Sequence, residues 1–244
     1  MSLIIKKIET VAFFLSAEGR KYFHEPRGRW VFRGHADAAY KLIPSVGRRK
    51  LLNTSLEKYE ASLFEVFVRE AQGYTDQFPT DVWEQLAFAQ HHGLPTRFLD
   101  WSHNPLVALY FAVCSNESQD AEIFALNSDK KISAKSLSQS PFETCIPRKY
   151  YPRTVSPRIR AQEGLFVVCA NPELTLDEDL REGWTIERYL IPSACKPSIR
   201  YELFRLGVHE SSLFPDIDGL AARLKWQHSA SPTNVRSEWQ NADE

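Results

Sequence analysis

Apolar residues along this chain alternate between two spacings, and the changes of spacing mark its elements. Trp30, Val31 and Phe32 form an apolar run that ends at Arg33-Gly34, which predicts a short strand. Leu56, Tyr59, Leu63, Phe67 and Ala71 recur every three or four residues, with Gly73 beyond, and predict a helix over 56–72. A second helix starts at Asp81, with Glu84 placed as in a capping box. It carries Trp83, Leu86, Ala87 and Gln90 on related faces and stops at Gly93. Pro95 forbids its continuation, so 96–100 is extended. Asn104 then caps a third helix, with Pro105 in its first turn and a body, 106–113, so apolar that it belongs in the core.

Further on, 122–126, 165–170 and 184–191 read as strands. Helices follow over 198–206, stopped by Gly207, and over 217–226 after the turn Phe214-Pro215-Asp216. The stretch 127–160, rich in Ser, Lys and Pro, reads as a long loop with fragments of structure, which in a compact domain signals function or mobility. Residues 229–244 read as a flexible tail. Strands and helices are mixed without regular alternation, which favours α+β over a doubly wound sheet.

With 43% hydrophobic residues among 244, the chain can fill a core in one domain, taken as 1–228 with a helical portion, 197–228, packed on it. A formal net charge of -1 supplies no bulk attraction for nucleic acid or an anionic membrane, although 30 Lys+Arg allow a local basic groove. Cys114, Cys145, Cys169 and Cys195 form no C-x-x-C pair and read as reduced thiols; no metal site is expected. No run approaches the length of a membrane span and the N-terminus lacks a signal-peptide core, so a cytoplasmic protein without membrane contact is expected.

Polar residues gather where these elements end. By alternation Val31 and Arg33 share one strand face, and a guanidinium there needs a partner. It either bridges to a carboxylate such as Asp100 or clamps an anionic ligand, with Gly34 allowing the ligand close to the backbone. Thr96, Arg97, Asp100, Trp101 and Ser102 stand before the third helix, where Ser102 either makes local turn bonds or faces a ligand. The amide groups at that helix start can receive an anion. His91-His92 cannot share one helix face, so they do not make a two-histidine metal site. Gln162 and Glu163 lie between a basic segment, Arg158 and Arg160, and the next strand; they read as a solvated strand start or as a loop delivering an acid or amide to a ligand held by Arg33. No Gly-rich phosphate loop, G-x-S-x-G or H-E-x-x-H occurs.

Taken together, Phe32-Arg33-Gly34, the run 90–111 (QHHGLPTRFLDWSHNPLVALYF), Gln162-Glu163-Gly164-Leu165-Phe166 and 212–220 (SLFPDIDGL) resemble the FRG domain family, named for its Phe/Tyr-Arg-Gly signature. The order of these blocks is distantly similar to ADP-ribosyltransferases of the Arg-Ser-Glu kind. That resemblance implies a mixed, largely antiparallel sheet with packed helices around an ADP-ribosyltransferase-like core. It implies NAD as substrate, bound by Arg33, Gly34, Thr96, Arg97, Asp100, Trp101 and Ser102, with Glu163 or Gln162 in the catalytic position and Trp101 stacked on nicotinamide. It further implies ADP-ribosyl transfer or NAD hydrolysis by a toxin or defence effector, a protein or nucleic-acid acceptor, and a cognate antitoxin. The chain departs from that pattern by reading Arg-Phe-Leu-Asp-Trp-Ser in the second block and by lacking a Gln/Glu-x-Glu pair in the third. The alternative reading is a nucleotide- or nucleic-acid-binding module without catalysis, in which Arg33, Arg97, Arg158 and Arg160 form an anion cluster.

Overall fold

The computed structural model describes residues 6–49, 54–153 and 156–229. Its seven strands are β1 (Lys6–Lys7), β2 (Trp30–His35), β3 (Phe98–Ser102), β4 (Ala121–Asn127), β5 (Arg148–Tyr150), β6 (Gly164–Val168) and β7 (Thr185–Ile191). They form one sheet in the order β1-β7-β4-β2-β3-β6-β5. Only β1 and β7 pair in parallel; all other neighbours are antiparallel. The helices are α1 (Val11–Phe13), α2 (Gly19–His24), α3 (Leu56–Ala71), α4 (Val82–His91), α5 (Pro105–Val113), α6 (Ala134–Leu137), α7 (Pro157–Ala161), α8 (Lys196–Arg205), α9 (Glu210–Leu213) and α10 (Ile217–Gln227). The architecture is α+β, as the irregular mixture of spacings implies.

The helix signals act as the side-chain chemistry requires. Asp81 accepts from the amides of Trp83 and Glu84, and Asn104 accepts from that of Leu106, so both helix starts are capped. Glu84 does not complete the expected capping box. It is buried and instead accepts from the Tyr150 hydroxyl and the Arg153 amide, tying α4 to β5. The stretch 127–160 is not a plain loop: it contains α6, β5 and α7. Lys149 of β5, 1% exposed, donates to the carbonyls of Gly28, Arg29 and Ser128, which fastens this stretch to the segment before β2. The expected tail lies, from residue 230 on, outside the described residues.

Two clusters share one face of the sheet. Trp30 and Phe32 of β2 pack with Ile123, Ala125, Tyr189 and Ile191 under α5 and under Ile199 and Leu203 of α8. Phe98, Phe166, Val168 and Tyr150 pack under Trp83, Leu86 and Ala87 of α4 and Phe64 of α3. On the opposite face Val31, Leu99, Trp101, Phe124, Leu126, Leu165 and Val167 form a third cluster, closed by Leu42, Leu176 and Trp184. Helix α5 can sit directly on β2 because Gly34 has no side chain. A Cβ there would lie 1.9 Å from the Ala108 carbonyl oxygen. The absence of a side chain at Gly34 thus serves the approach of helix backbone.

Arg97 is corrected as a ligand-binding residue. It is 1% exposed and its amide, Nε and Nη2 all donate to the Glu60 carboxylate of α3, with Nη2 to Oε2 at 2.8 Å. Nη1 donates to the Phe142 carbonyl. A buried guanidinium so fully engaged holds α3 against the start of β3; it is not available to a ligand. Removing its partner strands a charge in the core, and Glu60→Ala should cost about 3–5 kcal/mol. Urea unfolding measures this, and a loss under about 1 kcal/mol would show the pair to be worth no more than a surface contact.

Candidate functional site

The sheet changes character at the junction of β2 and β3. β2 matches β4 over six register pairs and β3 matches β6 over five, but β2 and β3 share a single one, Phe32 with Ser102. Past that point the strands part, and above the gap α5 stands on one side and α4 and α7 on the other. The result is a cavity of about 420 Å³ whose floor is Phe32, Arg33, Gly34, Asp100, Trp101 and Ser102. Its walls are Gln90 and His91 from α4, Val107, Ala108 and Phe111 from α5, Arg158, Ile159 and Gln162 around α7, and Phe214. That volume lies in the range of small-molecule sites, and the mixture of apolar wall and a few convergent polar groups is typical of them.

Arg33 bridges the parted strands. Its Nη1 donates to the Asp100 carbonyl oxygen at 2.6 Å and lies 3.7 Å from the Asp100 carboxylate, while its Nε donates to His35 Nε2 at 3.1 Å. Since His35 Nε2 must accept, the proton sits on Nδ1, which faces the Tyr40 carbonyl at 3.2 Å. Burial, reinforced by the Arg33 charge, pushes the His35 imidazole down to about 3, so it is neutral and serves as a fixed acceptor. Burial also lowers the Arg33 guanidinium from its ordinary value, with Asp100 acting in the opposite sense.

Asp100 is aimed by a relay. The Thr96 hydroxyl donates to Gln90 Oε1 at 2.6 Å, which fixes the orientation of the Gln90 amide, and Gln90 Nε2 then donates to Asp100 Oδ2 at 2.9 Å. The Asp100 side chain remains 60% exposed, so its carboxylate is held yet open to the cavity. Next to it, burial lowers the His91 imidazole, helped by His92 and Arg158. Arg158 caps the rim, with its guanidinium 4.7 Å over the Phe214 ring and 3.6 Å from the Asp216 carboxylate.

The residues singled out in the sequence are thus divided. Arg33, Gly34, Asp100, Trp101, Ser102 and Gln162 come together around the cavity, whereas Thr96 and Arg97 lie behind it. Ser102 donates to the Gln162 carbonyl and accepts from the Asn104 amide, so its hydroxyl braces the turn. Trp101 is 3% exposed and packs with the opposite-face cluster; Phe111 and Phe214 offer the accessible aromatic surface instead. Glu163 points away. Its backbone is left-handed (φ 46°), and its carboxylate accepts from Arg27 and Asn104. A chain reversal of this kind between neighbours places Gln162 at the cavity and Glu163 outside it. The four arginines of the binding-module reading do not cluster either: Arg33 and Arg158 line the cavity, while Arg97 is engaged by Glu60 and Arg160 is exposed outside the wall.

Gln90, His91, Phe111 and Phe214 are wall residues that sequence reasoning did not select as ligands, whereas Arg158, read there as an anion contact, does line the cavity. Gln90 carried a signal: a polar amide on the apolar stripe of α4 has to find a buried partner. Phe214 carried none, because its place depends on how α9 folds back over α7.

Residues 28–121 match the family model described as the FRG domain. The matched segment holds Arg33, Gln90 and Asp100, whereas the later blocks around Gln162 and Phe214 lie beyond it. No curated protein and no solved structure matches the chain. The resemblance to ADP-ribosyltransferases finds no support in these comparisons.

His35 gives the site a pH signature. Its pKa is depressed on folding, so the unfolded chain binds the extra proton, and the stability it contributes is full above about 6.5 and lost as pH falls toward 3. Wild-type unfolding free energy should therefore fall between pH 6.5 and 4.5 by about 1 kcal/mol per unit more than that of His35→Gln, whose amide oxygen can still accept from Arg33. Parallel slopes for the two proteins in urea titrations would refute this assignment.

Proposed function

We propose that the cavity between β2 and β3 binds NAD and cleaves its nicotinamide–ribose bond, releasing nicotinamide and passing the ADP-ribosyl group to water or to an acceptor. The observation that carries this reading is a single open carboxylate, Asp100, aimed by Gln90 and flanked by Arg33 inside a partly aromatic cavity. When the bond breaks, nicotinamide leaves with the electron pair and the ribose C1′ becomes electron-poor. A preorganised carboxylate beside it stabilises that developing charge. The nucleophile adds at C1′ and gives up its proton, for which the neutral His91 imidazole is a suitable acceptor. Arg158 at the rim and the Arg33 N–H groups not engaged by Asp100 or His35 supply donors for phosphate oxygens. Phe111 and Phe214 offer faces for a flat ring. In this assignment Asp100 takes the role that the resemblance gave to Glu163.

One observation favours a second reading, nucleotide binding without turnover: Glu163 faces away from the cavity and Gln162, which cannot carry charge, takes its place.

Purified protein incubated with NAD should release nicotinamide. Asp100→Asn should slow release by about a hundredfold or more, Arg33→Ala should abolish it, and Glu163→Gln should leave it within about twofold. The hundredfold loss corresponds to about 2.7 kcal/mol of transition-state stabilisation. Equal release by wild type and Asp100→Asn excludes the proposed role of the carboxylate; NAD binding with no release by wild type selects the second reading.

A further inference from the structure

A second cavity lies behind the turn that closes the first. Ser102 lines one and His103 the other; Gln162 lines one, and Glu163 reaches Arg27 on the wall of the other. This second space measures about 550 Å³ and is walled by Arg27, Arg29, Lys131 and Lys149, with Asp129 as the one acidic residue in its lining. Asp129 itself lies 3.5 Å from Lys130. Arg29 commits only Nε, to Asn127, and the Lys131 ammonium has no ion pair among the described residues. Arg27 is 81% exposed, so its pairing with Glu163 is solvated and exchangeable.

Two aromatic rings stand among these cations. His103 and Tyr151 stack with centroids 5.6 Å apart and planes 13° from parallel, and Tyr151 is 40% exposed. Gly28 opens the floor beneath them: a Cβ there would come within 3.2 Å of the Tyr151 hydroxyl and 3.4 Å of His103 Cε1. Burial lowers the His103 imidazole, with Arg27 adding to the effect, which leaves a neutral ring suited to stacking. Its buried Nδ1 has no hydrogen-bond partner among the described residues. Nothing in the proposed reaction uses any of these residues.

We infer that this cavity is a nucleotide-phosphate site, with a base stacked on the Tyr151–His103 pair and its phosphate held by Arg27, Arg29 and Lys131. Cations alone would take any anion, and stacked rings alone any flat apolar ring. Their combination in one concave space is what a nucleotide matches, whether free or as a unit of a single strand. Lys149 does not contact the phosphate: its amine is engaged by three carbonyls, and burial, with the Arg29 charge adding to the effect, pushes it down to about 7.

Binding of AMP, of a single-stranded hexa-adenylate and of inorganic phosphate to the full chain tests this by calorimetry. AMP and the hexa-adenylate should bind, both more tightly than phosphate, and affinity should fall as salt rises. Arg27→Glu and Lys131→Glu, at exposed positions, should each weaken AMP about tenfold or more and Tyr151→Ala about tenfold, and the binding that Arg27→Glu removes should persist in Arg158→Glu, whose side chain belongs to the first cavity. Equal affinity for AMP and hexa-adenylate assigns a free mononucleotide; a hexa-adenylate preference of about tenfold or more assigns a strand. No binding by wild type, AMP no tighter than phosphate, or loss in Arg158→Glu with retention in Arg27→Glu overturns the inference, whatever becomes of nicotinamide release.

Discussion

The positive charge of Arg33 at the seam of the sheet is the constraint on which the site depends. β2 and β3 meet at Phe32 and Ser102 and then part, so the backbone carbonyl of Asp100 gains a guanidinium donor from β2. An ionised side chain at such a place is tolerated only with partners, and Arg33 has them in the Asp100 carbonyl, the nearby Asp100 carboxylate and the neutral ring of His35. The same arrangement separates the helices above. α5 is pressed onto β2 through Gly34, α4 is carried by β3 and β6 through Phe98 and Phe166, and the space between them is the cavity.

Local patterning made much of this visible. The spacing of α3, the Asp81 and Asn104 caps and the apolar α5 all follow from rules that act within a few residues, and the structure keeps them. Of the two roles open to Arg33, a bridge to a carboxylate such as Asp100 or a clamp on an anion, the first is seen, with the two side chains 3.7 Å apart. What failed or was missed depended on distant residues. Arg97 looked like Arg33 in sequence, a cation beside a strand, and only the arrival of Glu60 from α3 distinguishes a buried structural pair from a ligand-facing one. Gly34 was read for a ligand's approach, and the structure adds a second demand on it, the backbone of a helix that comes much later in the chain. Glu163 and Gln162 were separable only by the left-handed turn at Glu163, a backbone choice that residue type does not announce.

The two cavities divide between them the polar residues of one turn. Ser102 and Gln162 border the cavity of Arg33 and Asp100, whereas His103 borders, and Glu163 reaches, a cluster of cations. The chain that shapes one wall therefore shapes both. Charge separates their roles: the first cavity sets guanidinium against carboxylate, and the second is cationic with a stacked aromatic floor.

The central claim is that the seam between β2 and β3, built on Arg33 and Asp100, is the place where NAD binds. Titrating NAD into 15N-labelled protein and following the Arg33 Nε signal together with the Gln90 side-chain amide tests it most directly. The account predicts that both signals shift with NAD, saturate together, and do so with the backbone amides of Asp100 and Phe111. Unmoved Arg33 and Gln90 signals at NAD concentrations that shift other residues would contradict it.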